Sequence, residues 1–181
     1  MPKIKLQTER LIIRDFAIKD WESVHKYGSD PAVVKHMPWG PNSQKETKEF
    51  IKRAMKNQTQ KPRTQYNLAI ILKATDQLIG GISLHTNNNP LTSEAALGYV
   101  LNKDYWGNGI IPEASKTILN FGFKKCKLNR IFATCEPDNI RSKRVLEKIG
   151  MHFEGHLHGH MKIKGKWRDS LLFAILKKRL P

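Results

Sequence analysis

Apolar and polar positions along the chain change period several times, and each change marks an element. Between Leu6 and Phe16, Leu11 and Ile13 fall on one side of the alternation and Ile12 and Arg14 on the other, the two-residue period of a strand. Asp20 to Tyr27 carries Trp21, Val24 and His25 at helical spacing, with Gly28 as a stop. Ser43 and Glu46 stand at capping-box spacing, where serine and glutamate satisfy each other's backbone amides. The helix behind them presents Thr47, Phe50, Ile51, Ala54 and Met55 as one stripe. Residues His36 to Ser43, with two prolines and a glycine, read as a loop that leaves Trp39 exposed.

Tyr66 to Leu72 and Leu78 to Leu84 flank the turn-forming stretch Lys73 to Gln77 and read as a hairpin. A second turn-rich stretch, His85 to Ser93, leads into a strand over Glu94 to Leu101. From Ile111 the period becomes helical, with Ala114, Ile118, Leu119, Gly122 and Cys126 on one face and Glu113, Lys116, Thr117, Asn120 and Lys124 on the other. Asn129 to Glu136 is a strand, and Asn139 caps a short helix whose Val145, Leu146 and Ile149 face inward before Gly150 ends it. Two last strands, Met151 to Ile163 and Lys166 to Ile175, are joined at Lys164 and Gly165. The order is strand, two helices, three strands, helix, strand, helix, two strands. This predicts a mixed α/β class with about seven strands and about four helices in one domain over residues 1–181.

Charge narrows the partners. Lys and Arg number 32 against 16 Asp and Glu, a formal charge of +16, which suits an anion: nucleic acid, an anionic cosubstrate or an acidic protein. The basic runs Lys56 to Arg63 and Leu176 to Leu180 read as solvated surface. Cys126 and Cys135 form no CxxC pair and read as reduced, packed thiols. The first residues hold no apolar leader and no window approaches a membrane span, so a soluble, cytoplasmic protein with no membrane partner is expected.

The candidate chemistry starts at Asn102 to Ser115, where Gly107 and Gly109 bracket Asn108 between a strand and a helix opening at Pro112 and Glu113. A strand, a glycine turn and a helix N-terminus together make an anion site from outward-pointing amides, and the same pattern also serves as a tight turn without ligand. A dinucleotide fingerprint needs a glycine where Pro112 stands, and the Gly-Lys-Ser/Thr of a P-loop is absent.

Three segments in this order resemble the GNAT acyltransferase superfamily, and within it the RimJ/RimL type of ribosomal-protein N-terminal acetyltransferase. They are Thr8 to Arg14, Leu97 to Ala114 and Asn139 to Gly155, followed by Gly165 to Ile175, so the resemblance covers nearly the whole chain. It implies a GNAT fold with a central, mostly antiparallel mixed sheet, and acetyl-CoA as cosubstrate. It further implies that Trp106, Gly107, Asn108, Gly109 and Ile110 line the pyrophosphate and that the backbone of Val100 and Leu101 holds the pantetheine arm. One departure is Asp104, where the family often has Gln or Arg. Arg141, Lys143 and Arg144 read either as partners for the phosphates or as an exposed basic helix face.

Acetyl transfer to an amine needs a base for the amine, polarisation of the thioester carbonyl and a proton for the leaving thiolate. Leu146 stands where many relatives carry a tyrosine for the thiolate, and the resemblance passes that role to Ser142, with Asn139 capping its helix and orienting the cosubstrate. Ala96 and Met161 stand where relatives carry carboxylates. Glu94, on the same strand face as Ala96, is therefore the expected base, with His85, His160 and Asp169 as further candidates. The run His156 to His160 alternates faces and reads as a solvated strand edge or an adventitious metal binder, and no metal is expected in the reaction. The resemblance and the charge favour an acidic protein or peptide N-terminus as acceptor, with possible ribosome association. A small amine, or a ribosome- or RNA-associated module without catalysis, are the alternatives.

Overall fold

The first strand predicted from the alternation is two strands. The computed structural model describes residues 4–87, 89 and 91–179, and there β1 (Lys5–Gln7) and β2 (Leu11–Asp15) pair antiparallel. Thr8 makes the reversal: its amide donates to the Leu11 carbonyl at 3.0 Å and its hydroxyl accepts from the Leu11 amide at 2.9 Å. A side chain bonding its own backbone this way competes with a continuing ladder.

The remaining elements follow the predicted order: α1 (Trp21–Gly28), α2 (Gln44–Asn57), β3 (Gln65–Leu72), β4 (Gln77–Thr86), β5 (Glu94–Leu101), α3 (Ile110–Lys124), β6 (Arg130–Cys135), α4 (Ile140–Lys148), β7 (His152–Ile163) and β8 (Lys166–Leu176). They give one eight-stranded sheet, in the order β1-β2-β3-β4-β5-β6-β8-β7, and four α-helices. Every neighbouring pair is antiparallel except β5 and β6. The capping box forms as predicted, with the Ser43 hydroxyl accepting from the Glu46 amide and the Glu46 carboxylate accepting from the Ser43 amide at 2.7 Å.

Helices cover both faces. Ala114, Ile118, Leu119 and Phe123 of α3 and Leu146 of α4 pack on Leu11, Ile13, Leu68, Ile70, Ile82 and Leu84. Val24 and Tyr27 of α1 and Ile51 and Ala54 of α2 pack on Phe16, Ala69 and Ile71. The unbroken apolar run Leu68 to Ile71 in β3 is buried on both sides, as a central strand under two helix layers requires. Each large side chain fully buried this way contributes about 1.5–3 kcal/mol. Gly122 sets how close α3 can come: a Cβ there would stand 2.8 Å from Ile131 Cδ1.

Three surface expectations change. Trp39 is partly buried, and Cys126 lies past the end of α3. Arg63, in the run read as solvated, is 6% exposed and pairs with Asp15 at 2.6 Å. Asp15 also accepts from the Ile4 amide at 2.8 Å, so one carboxylate ties the loop before β3 to both N-terminal strands. Asn88 and Pro90 of the predicted turn and Leu180 of the second basic run lie outside the described residues. No helix among the described residues is long and apolar enough to cross a membrane.

The geometry that matters for function is a fork in the sheet. β5 and β6 pair only at Glu94↔Arg130, Ala95↔Ile131 and Ala96↔Phe132. Beyond them β5 pairs with β4 alone and β6 with β8 alone, so the two strands part toward their C-terminal ends.

Replacing Arg63 with alanine leaves Asp15 buried without its cation, and should cost about 3–5 kcal/mol in urea-induced unfolding. A loss under about 1 kcal/mol would mean that the N-terminal strands are held by apolar packing alone.

Candidate active site

At the open end of the fork the chain leaves β5 through Lys103 to Tyr105 and turns into α3 at the two glycines. Gly107 and Gly109 have φ of 83° and 72°, in the left-handed region that side chains resist. Gly109 is the N-cap of α3 and supplies no capping side chain. Among the described residues none accepts from the amides of Gly107, Asn108, Gly109, Ile110 or Ile111. Five N–H groups and the positive end of a fifteen-residue helix thus converge at one turn. The Trp106 amide is not among them, because it donates to the Lys103 carbonyl at 3.0 Å. Its indole Nε1 donates to the Leu101 carbonyl at 2.9 Å, and its ring lies 4.5 Å from the Arg141 guanidinium of α4. Arg141 therefore reaches the turn from across the fork, whereas Arg144 is exposed on the helix and Asp104 on the turn before the glycines.

The turn is clamped from behind. Glu113, in the first turn of α3, accepts from the Thr8 hydroxyl, from the Arg10 amide at 3.1 Å and from Arg10 Nε at 2.7 Å. Arg10 also donates to the Asn108 carbonyl at 2.9 Å. Burial works to raise the Glu113 carboxyl, but the Thr8 and Arg10 donors together hold it below its ordinary value. The Asn108 side chain bonds back to the Tyr105 and Trp106 carbonyls.

Inside the fork, three polar groups from three elements meet. Tyr99 of β5 and Ser142 of α4 are joined hydroxyl to hydroxyl at 2.8 Å, with the buried Cys135 of β6 close to Ser142. Burial pushes the Tyr99 phenol far above its ordinary value, only partly offset by Ser142, so it stays protonated. Burial raises the Cys135 thiol as well, with Ser142 working against it. Asn139 is the N-cap of α4, its side-chain oxygen accepting from the Ser142 amide at 3.1 Å. Ser142 is thereby held at both its amide and its hydroxyl.

The loop between α1 and α2 spans the two strand ends. Asp30 pairs with Lys103, just past β5, at 2.7 Å, and His36 Nδ1 meets Glu136, just past β6, at 2.7 Å. Glu136 is 8% exposed and also accepts from Arg168 of β8. A cavity of about 410 Å³ opens here, lined by His36, Glu136, Asp138, Arg168 and Asp169 among others. The Glu136 carboxylate faces His36 Nδ1 and fixes the orientation of the ring, and Nε2 has no hydrogen-bond partner among the described residues.

Glu94, expected as the base, does not join this group. It lies five residues from Tyr99, about 16 Å along the strand, and its side chain leaves the opposite face. Its carboxylate accepts from Arg130 at 2.7 Å, and it borders a separate cleft of about 200 Å³ with Arg63, Tyr66 and Cys126. The spacing argument placed it beside Ala96 without weighing the arginine opposite it in the parallel register. Of the other candidates, His85 bonds Asn67 and His160 bonds Ser170. Asp169 borders the cavity but is bonded by His156 and His158.

Tyr99, Cys135, His36 and Glu136 are the residues that sequence reasoning missed. Alternation from Leu97 and Leu101 was enough to turn Tyr99 toward the α3 and α4 face. Nothing local marks His36 or Glu136, which stand 100 residues apart and meet only through the fold.

Residues 10–152 match the family model described as Acetyltransferase (GNAT) domain. The uncharacterized N-acetyltransferase YnaD of Bacillus subtilis (strain 168) is 37% identical over 172 residues, covering 95% of this chain and 96% of that protein. The [ribosomal protein uS5]-alanine N-acetyltransferase of Escherichia coli (strain K12) is 24% identical over 97% of this chain and 92% of its own length. Among solved structures, a GNAT-family acetyltransferase from Bacillus anthracis superimposes with a TM-score of 0.86 at 38% identity, covering 97% of this chain and 99% of that one. Sheet order, glycine turn and matched residues agree, and the chain belongs to the GNAT acetyltransferase family as an acetyl-CoA-dependent acyltransferase.

Proposed function

We propose that the chain acetylates the α-amino group of an acidic protein or peptide, using the fork to hold acetyl-CoA and the cavity beside it to receive the amine. The observation that carries this reading is the joint layout of five unpartnered amides at one end of the fork, a buried hydroxyl pair within it, and a carboxylate-bordered cavity at the end of β6. The amides of Gly107 to Ile111, with Arg141, receive the pyrophosphate. The edge of β5 at Val100 and Leu101, unpaired with β6 and bonded at the Leu101 carbonyl by Trp106 Nε1, receives the pantetheine arm, as an extended chain adds to an open strand edge. Asn139 serves as the cap that orients α4 toward it.

As the amine attacks the thioester carbonyl the C–S bond breaks and charge gathers on sulfur. Ser142 donates a hydrogen bond to that sulfur, and Tyr99, donating to Ser142 Oγ, leaves the serine proton free to point there. The thiolate then takes its proton from water. The proton that the amine loses goes to Nε2 of His36, whose ring Glu136 orients through Nδ1. His36 thus takes the role first assigned to Glu94.

The charge of the whole chain supports the acceptor class: its +16 suits an acidic body behind the amine, while the cavity itself mixes Glu136 and Asp138 with Lys35 and Arg168. The full-length relative that acts on a ribosomal protein adds weight to the same side.

Ser142→Ala should lower kcat about 10- to 100-fold, the loss of one hydrogen bond to developing charge, with acetyl-CoA affinity little changed. Tyr99→Phe should lower it less, and the double variant should be no slower than Ser142→Ala alone. Effects that multiply instead would show that the tyrosine does not act through the serine.

His36→Ala should lower kcat about 100-fold with acetyl-CoA affinity little changed, and imidazole added to the variant should restore part of the lost rate. A variant as fast as wild type removes His36 from the reaction.

For the acceptor, KM should rise steeply with salt for an intact acidic protein and barely move for a short neutral peptide, since exposed charges are screened beyond about 8 Å at physiological salt. Efficient, salt-insensitive acetylation of spermidine would overturn the protein-acceptor reading.

A further inference from the structure

The long β7–β8 hairpin carries a polar cluster that the transfer reaction does not use. Pairing runs regularly from His156↔Leu171 to Leu157↔Ser170 and resumes at Met161↔Arg168, so His158, Gly159 and His160 bulge out opposite the single residue Asp169. Gly159 turns the bulge with φ of 54° and donates its amide to Asp169 Oδ1 at 2.8 Å. The other oxygen, Oδ2, receives both His156 Nε2 at 2.8 Å and His158 Nδ1 at 3.0 Å. The two rings stack with centroids 4.2 Å apart. The bulge wraps one carboxylate in two imidazoles and one amide.

We propose that His156, His158 and Asp169 form a binding site for a divalent transition-metal ion of the zinc class, with three protein ligands and a fourth position open to solvent. Their ligand atoms all lie within 4.8 Å of one another. A tetrahedral zinc with bonds near 2.0–2.2 Å sets its ligand atoms about 3.4 Å apart, so the two N–O contacts need to open by only a few tenths of an ångström. Two imidazoles and a carboxylate select zinc, nickel or copper over magnesium or calcium. The nitrogens that do not face Asp169, Nδ1 in His156 and Nε2 in His158, belong to rings at the surface, where water can bond them. The Gly159 amide and then His158 hold the Asp169 carboxyl below its ordinary value, which keeps it ionised and ready to ligate.

A second group, His36, Glu136 and Asp138, has similar spacing and makes a useful contrast. There Arg168 already binds Glu136 and puts a permanent positive charge where the ion would go. Asp169 has no guanidinium or ammonium partner among the described residues. Since Asp169 also borders the 410 Å³ cavity, the ion stands at its rim, although its binding does not depend on what the cavity accepts.

The test is calorimetric titration of zinc chloride into tag-free, chelator-treated protein, with His156→Ala, His158→Ala, Asp169→Asn and His36→Ala alongside and circular dichroism to confirm each fold. One ion per chain is expected, weakened at least tenfold by either exposed histidine variant and by Asp169→Asn, and unchanged by His36→Ala. Cobalt substitution should give the intense visible bands of a four-coordinate site. Binding that survives His156→Ala and His158→Ala, that disappears in His36→Ala, or that is absent from wild type would each overturn the proposal. Weak six-coordinate cobalt bands would overturn the ligand set.

Discussion

The parting of β5 and β6 is the constraint on which the rest of the structure depends. Parallel strands bonded along their full length would satisfy each other's backbone and leave no room between them. Here the ladder stops after three residue pairs, and each strand keeps only its outer neighbour. The edge so exposed is costly unless something else bonds it, and strand edges of this kind are where extended ligands add. Tyr99 and Ser142 fill part of the gap with hydroxyls that bond each other, beside the buried Cys135.

Holding such a fork open requires ties around it rather than across it. The loop after α1 provides one, gripping the end of β5 through Asp30 and Lys103 and the end of β6 through His36 and Glu136. Arg10 and Thr8 provide another by fastening Glu113 and Asn108, which fixes the glycine turn against the N-terminal strands. Preorganisation of this sort matters because donors that must reorient on binding spend their interaction energy on ordering. The N-terminal Thr8–Arg14 segment, the part of the family resemblance farthest in sequence from the turn, is explained by that contact.

The sequence made one kind of information plain and hid another. Helix faces, the capping box at Ser43, the cap at Asn139 and the glycine turn were legible because each depends on residues within a few positions of one another. The split of the first strand was missed because Gln7 to Arg10 continue a polar pattern compatible with an exposed strand, and only the Thr8 hydroxyl decides for a turn. Arg63 was misread because composition shows a basic run, while the buried Asp15 that claims it lies 48 residues away. The surroundings of Glu94 were hidden for the same reason: strand alternation gives the face, but the partner strand's Arg130 gives the environment.

That pattern bears on how the two halves of the site differ. The glycine turn and the open edge of β5 follow from glycines, a helix start and a strand end, all local features of the sequence. The cavity is lined by side chains on the α1–α2 loop, the end of β6 and the β7–β8 hairpin, three segments with no common local pattern. A change among those side chains leaves the fold and the turn in place. The His36–Glu136–Arg168 group is the clearest instance: a buried carboxylate held by a guanidinium on one side and presenting an imidazole on the other, assembled from residues 36, 136 and 168. Those contacts join three distant segments, and the eight-stranded sheet brings them together at the mouth of the fork.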